Sequence, residues 1–130
     1  MRIVFYWESE SRGYLNPSCR SEKASEDGID YMCSILTDDG GLGYLNTISW
    51  LDNGLRKISL LSSDENSKYD WCCETWGAEL TSDKAKIYSL HDEEYFKIFK
   101  LKEFEDALLA WKNFIQSEPN LGVKMIIEIG

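Results

Sequence analysis

Towards the end of the chain, Phe104, Ala107, Leu108, Trp111 and Ile115 fall at i, i+3, i+4, i+7 and i+11. That spacing lays one apolar stripe along a helix and has no counterpart on a strand. It predicts a helix over Glu103–Ser117. Glu103, Glu105 and Asp106 lie in its first turn, where the helix dipole favours acids, and Pro119 and Gly122 stop it. Such a stripe has to be covered, and what the chain offers is mostly strand. Ile3 to Trp7 is dense in β-branched and aromatic residues, and Lys84 to Leu90 and Tyr95 to Leu101 are further strand candidates. In Val123 to Ile129 the alternation puts Val123, Met125, Ile127 and Ile129 inward and Lys124 and Glu128 outward. The expected class is α+β: a mostly antiparallel sheet of hairpins and meanders, one amphipathic C-terminal helix packed on it, and a final strand. A length of 130 residues suits a single domain, 1–130, with one core.

The middle of the chain reads as strands and turns. Glu8 to Gly28 is polar, contains Asn16-Pro17, and is expected to be a long loop at 8–28. Ile29, Tyr31, Cys33 and Ile35 alternate as one face of a strand. Asn53-Gly54, between two β-rich runs, signals a hairpin. A three-residue loop, Asp52-Asn53-Gly54, pairs Leu51 with Leu55, Trp50 with Arg56 and Ile48 with Ile58, which separates an apolar face from a polar one. Tyr69 to Leu80 reads as a strand broken near Gly77.

Charge narrows the partners. The chain holds 23 acids against 14 Lys and Arg, a net charge of −9. Between Ala24 and Leu55 there is no base, yet Asp38, Asp39 and Asp52 are there, and Tyr69 to Asp83 is a second base-free window with Asp70 and Glu74. Such a surface repels nucleic acid and anionic membrane and speeds encounter with basic partners. No run reaches the roughly 20 apolar residues of a membrane span, and MRIVFYWESE lacks the features of a signal peptide, so a cytoplasmic protein is expected. Cys19, Cys33, Cys72 and Cys73 are then expected to stay reduced.

Local chemistry does not point to an enzyme. The cluster Gly40-Gly41-Leu42-Gly43 is followed by no Lys or Arg that could meet a phosphate, and Asp38 and Asp39 at its mouth would repel one. The acids of a calcium loop are absent, and with no CxxC and one His a zinc site is not expected, so no metal and no cofactor are called for. His91 lies in the polar turn His91-Asp92-Glu93-Glu94. An enzyme remains the alternative, with its site near the 8–28 loop and the 38–43 glycine cluster. It would need a cleft holding His91 or a Cys beside a carboxylate with a shifted pKa.

Ser89-Leu90-His91-Asp92-Glu93, then Phe96 to Leu101, then FEDALLAWKNFI, resembles the end of small immunity proteins from bacterial toxin–immunity systems, including those of contact-dependent growth inhibition. In that group a strand with tyrosine and acids leads into a helix of the pattern "F…AL.AW..FL". The resemblance covers the last third of the chain and departs from the expected Ser or Asp at the helix start, where Leu101-Lys102 stands. It implies a non-enzymatic antitoxin that neutralises a cognate toxin, often a nuclease, by direct protein–protein interaction. The residues expected to meet a basic toxin are Asp38, Asp39, Asp52, Asp70 and Glu74, with Trp76 as the central anchor. A third reading, an acidic mimic of DNA, would need evenly spaced acids along one face. Here they cluster irregularly.

Overall fold

The structure is a computed structural model that describes every residue except Ser11, Lys23, Ala24, Glu65 and Gly130. It is α+β, with two antiparallel sheets. In the first, β1 (Arg2–Ser9) lies between β2 (Leu15–Ser21) and β7 (Lys124–Glu128). In the second, β3 (Tyr69–Cys72), β4 (Trp76–Leu80), β5 (Lys84–Ser89) and β6 (Phe96–Lys100) follow one another as a meander. Among the described residues three α-helices pack on them: α1 (Tyr31–Leu36), α2 (Ile48–Leu61) and α3 (Leu101–Ile115).

The apolar stripe on α3 does what its spacing requires. Phe104, Ala107, Leu108, Trp111, Phe114 and Ile115 are all buried. The helix serves both sheets. Its first half sets Phe104 against Trp71 of β3, ring centroids 5.9 Å apart. Its second half sets Trp111 and Phe114 against Phe5 of β1, at 5.1 and 5.5 Å. Lys100 precedes it without a side-chain acceptor for the helix amides. Instead the Glu103 carboxylate accepts the Lys100 N–H at 2.9 Å, half of a capping box.

Several expectations are corrected. The hairpin at Asn53-Gly54 does not exist, because Ile48 to Leu61 is helix α2. Ile48, Leu51, Leu55, Ile58 and Leu61 recur at i, i+3, i+7, i+10 and i+13, and Leu51, Ile58 and Leu61 are buried. Gly54 is there for closeness: a Cβ would stand 3.1 Å from Trp71 Cε2 and 3.4 Å from Leu108 Cδ1. Residues 31–36 form α1 rather than a strand. Alternation misled because α1 contacts strands β2, β4 and β5 and helix α3, so Tyr31, Met32, Cys33, Ile35 and Leu36 are all buried. Asp30 caps it, its carboxylate accepting Cys33 N–H at 3.2 Å and, from β2, Ser21 N–H at 2.7 Å.

The 8–28 segment is not one long loop, since β2 lies within it and pairs along β1 from Ile3↔Ser21 to Ser9↔Leu15. Pro17 is tolerated because β2 is an edge strand. The expectation of four reduced cysteines also fails: Cys19 and Cys33 form a disulfide between β2 and α1, Cα atoms 5.4 Å apart, while Cys72 and Cys73 are free. The strand over 69–80 breaks at Cys73–Thr75 rather than near Gly77. In β7 only the far end is covered: Ile129 is buried and Ile127 half-buried, but Val123 and Met125 are exposed.

Candidate functional site

The turn between β3 and β4 is the best-built feature among the acidic windows. Cys73 N–H bonds to Trp76 O at 2.9 Å, closing it, and Asp38 from the loop after α1 braces it. One oxygen of Asp38, Oδ2, accepts both the Thr75 N–H at 2.7 Å and the Trp76 N–H at 2.9 Å. These amides would otherwise lack a strand partner, so a carboxylate is well suited to the position. The turn from Asp38 to Gly43 lies against it. Asp39 accepts Gly41 N–H at 2.9 Å, and a Cβ on Gly40 would come within 3.3 Å of Glu74 Cβ. Gly40, Gly41 and Gly43 all have positive φ, which is the turn chemistry that requires glycine here.

The connection from β5 to β6 reaches the same end of the second sheet. Leu90 N–H bonds to Thr75 O at 2.9 Å, and Ser89 N–H to Tyr95 O at 3.0 Å. Asp92, Glu93 and Glu94, all exposed, lie in this connection, at the same end of the sheet as Glu74. Leu42, Leu90, Tyr95 and Phe96 are exposed around them. Nearby on the outer sheet face, the Tyr88 phenol is pushed up to about 12. Burial is the main cause, followed by the Cys72 thiol and then the charges of Asp70 and Glu93. Tyr88 and Leu90 close over Gly77, whose missing Cβ would lie 3.0 Å from the phenol.

The six expected partner-binding residues thus divide. Asp38, Asp39, Glu74 and Trp76 come together, whereas Asp70 lies further along β3, opposite Glu79. Nor does Asp52 join them: it lies on α2 and pairs with Lys112 of α3 at 2.5 Å. The base-free window around Asp52 is base-free only in sequence. Trp76 is half-buried on the inward face with Ala78 and Trp71, its ring edge-on to Tyr31 at 5.5 Å, rather than in phase with Asp70 and Cys72. Sequence reasoning missed the group at 90–96. The signal for it was three consecutive acids flanked by Leu90 and Tyr95-Phe96.

At the other end of the second sheet the charges are mixed, Lys84, Lys100 and Lys102 standing among Asp83, Glu103 and Glu105. Lys84 and Lys100 sit opposite one another across β5 and β6, with Lys102 just beyond. They border a cleft of about 870 Å³ against Ile58, Ile98 and Leu101. Neither end assembles the pieces of a nucleophilic site among the described residues. His91 is exposed, with its backbone N–H on Ser89 Oγ at 3.2 Å. The Cys73 thiol does lie near Asp38, but burial first and that carboxylate second push it up to about 12, which keeps it protonated. Among the described residues no three His, Cys, Asp or Glu converge on a metal position, and no helix is long and apolar enough to cross a membrane.

No protein-family model, no curated protein and no solved structure matches the chain.

Proposed function

We propose that the protein is an immunity-type inhibitor that binds a basic toxin domain through the acidic end of its second sheet. The reading is supported most by two acidic connections tied at that end: the β3–β4 turn with Glu74 is bonded through Thr75 O to Leu90 N–H, at the start of the connection that carries Asp92, Glu93, Glu94 and the exposed Tyr95. Carboxylates on short braced turns present fixed charge at little entropic cost, and exposed aromatics supply the apolar anchor that charge alone lacks. A nuclease surface built to hold phosphates offers the complementary lysines and arginines. Long-range attraction would then speed association, which an inhibitor needs if it is to act before damage accumulates. On this reading the inhibitor needs no cofactor. Asp38 and Trp76 have supporting parts, one bracing the turn and the other bedding it on α1.

The test is co-purification with the product of the adjacent upstream gene, followed by stopped-flow association. Glu74→Gln with Glu93→Gln should slow association several-fold and flatten its salt dependence, while the fold is retained because both side chains are exposed. Absence of any complex would defeat the immunity reading. A complex with unchanged association kinetics would leave that reading standing but remove the acidic end from it.

A further inference from the structure

The outer edge of β7 is unlike the other three sheet edges. Met1 and Ile129 exchange both backbone hydrogen bonds, each 2.8 Å, which sets the alternation along β1 and β7. Ile3↔Ile127 and Phe5↔Met125 are then the bonded pairs, and Val4↔Ile126 and its neighbours Arg2↔Glu128 and Tyr6↔Lys124 are not. Consistently, Arg2 O turns the other way and accepts Glu22 N–H at 2.9 Å. The N–H and C=O groups of Lys124, Ile126 and Glu128 therefore point off the sheet, and no described residue bonds to them. Between Lys124 and Glu128 the edge is apolar and uncovered: Ile126 is 61% exposed and Met125 37%, with Val123 just before it at 42%. Natural edges are ordinarily blunted by charge, proline or shortness. β2 carries Pro17 and β3 is four residues long; β6 and β7 are both five residues long with two charges each, but those of β6, Lys97 and Lys100, share one sign, whereas Lys124 and Glu128 of β7 are opposite.

We infer that this edge pairs with the same edge of a second copy of the chain. An antiparallel match about a two-fold axis at Ile126 makes Ile126 its own partner, and the outward backbone groups of Lys124, Ile126 and Glu128 fall into bonded register. It also sets Lys124 opposite Glu128 of the second copy, twice, so the charges complement each other. On the same face Val4 flanks each Ile126, giving an unbroken apolar row across the junction, and Arg2, bonded to Glu128 at 2.8 Å, continues the charged row. The first sheets merge into one of six strands, ordered β2-β1-β7-β7-β1-β2. The other edges lack this self-complementarity: β6 folded on itself about Ile98 would place Lys100 against Phe96 and Lys97 against Phe99. With five residues a side the interface is below the ~1,200 Å² of stable complexes, so the dimer is concentration-dependent.

Sedimentation equilibrium tests this on the intact chain. The wild type should move with concentration from 15.0 kDa towards twice that mass. Lys124→Glu alone sets Glu against Glu, and Glu128→Lys alone sets Lys against Lys, so each should sediment as a monomer at concentrations where the wild type associates. An equimolar mixture of the two variants restores both opposite-charge contacts and should recover the dimer. That recovery also separates loss of pairing from any effect of losing the Arg2–Glu128 contact. A wild type that stays monomeric at about 1 mM overturns the inference, as do single variants that dimerise like the wild type or a mixture that stays monomeric.

Discussion

Gly54 shows how a single residue can carry two opposed meanings. Within a helix it costs about 1 kcal/mol relative to alanine through backbone freedom, and beside Asn53 it suggests a turn. Its place in α2 is instead set by the indole of Trp71, which is 3% exposed and fixed by donating its N–H to Trp50 O at 2.9 Å. A side chain at 54 meets that ring within 3.2 Å, and the ring has nowhere to go. Gly54→Val should therefore destabilise by about 2 kcal/mol despite the better helix propensity of valine, since overpacking a filled core costs ~1–3 kcal/mol. Gly54→Ala should fall between the two. Urea denaturation of the three proteins checks the order. A variant more stable than the wild type would mean that the α2–β3 contact is slack.

At the scale of elements, the β3–β4 turn depends on a residue far from it in sequence. Asp38→Ala leaves the Thr75 and Trp76 amides without their acceptor and should cost about 1.5–3 kcal/mol. Asp38→Asn keeps an oxygen there and should cost less. Hydrogen exchange at those two amides reports the effect directly, and equal protection in the alanine variant would refute the bracing role. The same scale explains what could be read from the sequence and what could not. α3 is legible because one face is buried and repeats with a single period, and β1 because it is dense in β-branched and aromatic residues. α1 is covered on nearly every side, so its apolar residues also satisfy a period of two and read as a strand. In α2 the helical stripe was present, but Asn53-Gly54 supplied a stronger local signal for a hairpin. β2 was hidden by Pro17 and polar residues, which only an edge position excuses. The acidic end was half legible: its carboxylates were identified, but the pairing of Asp52 with Lys112 and the nearness of 90–96 are properties of the fold.

For the molecule as a whole, charge is mixed along the second sheet: Lys84, Lys100 and Lys102 stand among Asp83, Glu103 and Glu105 at one end, and Lys86 lies 4.5 Å over the Phe96 ring towards the other. The covalent link acts elsewhere, on the first sheet. Cys19 and Cys33 enclose a loop with a sequence separation of 14, and restricting the unfolded chain to that degree is worth about 3 kcal/mol. Cys33→Ser should lower the free energy of unfolding by about 2–4 kcal/mol under oxidising conditions and make no comparable difference in excess dithiothreitol. Equal stability of the two proteins without reductant would show that the bond is not formed in solution.

The sharing of α3 between the two sheets has a consequence for synthesis. Ile3, Phe5 and Trp7 are synthesised about a hundred residues before Trp111 and Phe114, which cover Phe5. Until those helix residues arrive Phe5 has no floor, and β1 must also wait for β7. Closing the first sheet therefore rests on contacts of high sequence separation, the kind that slows folding.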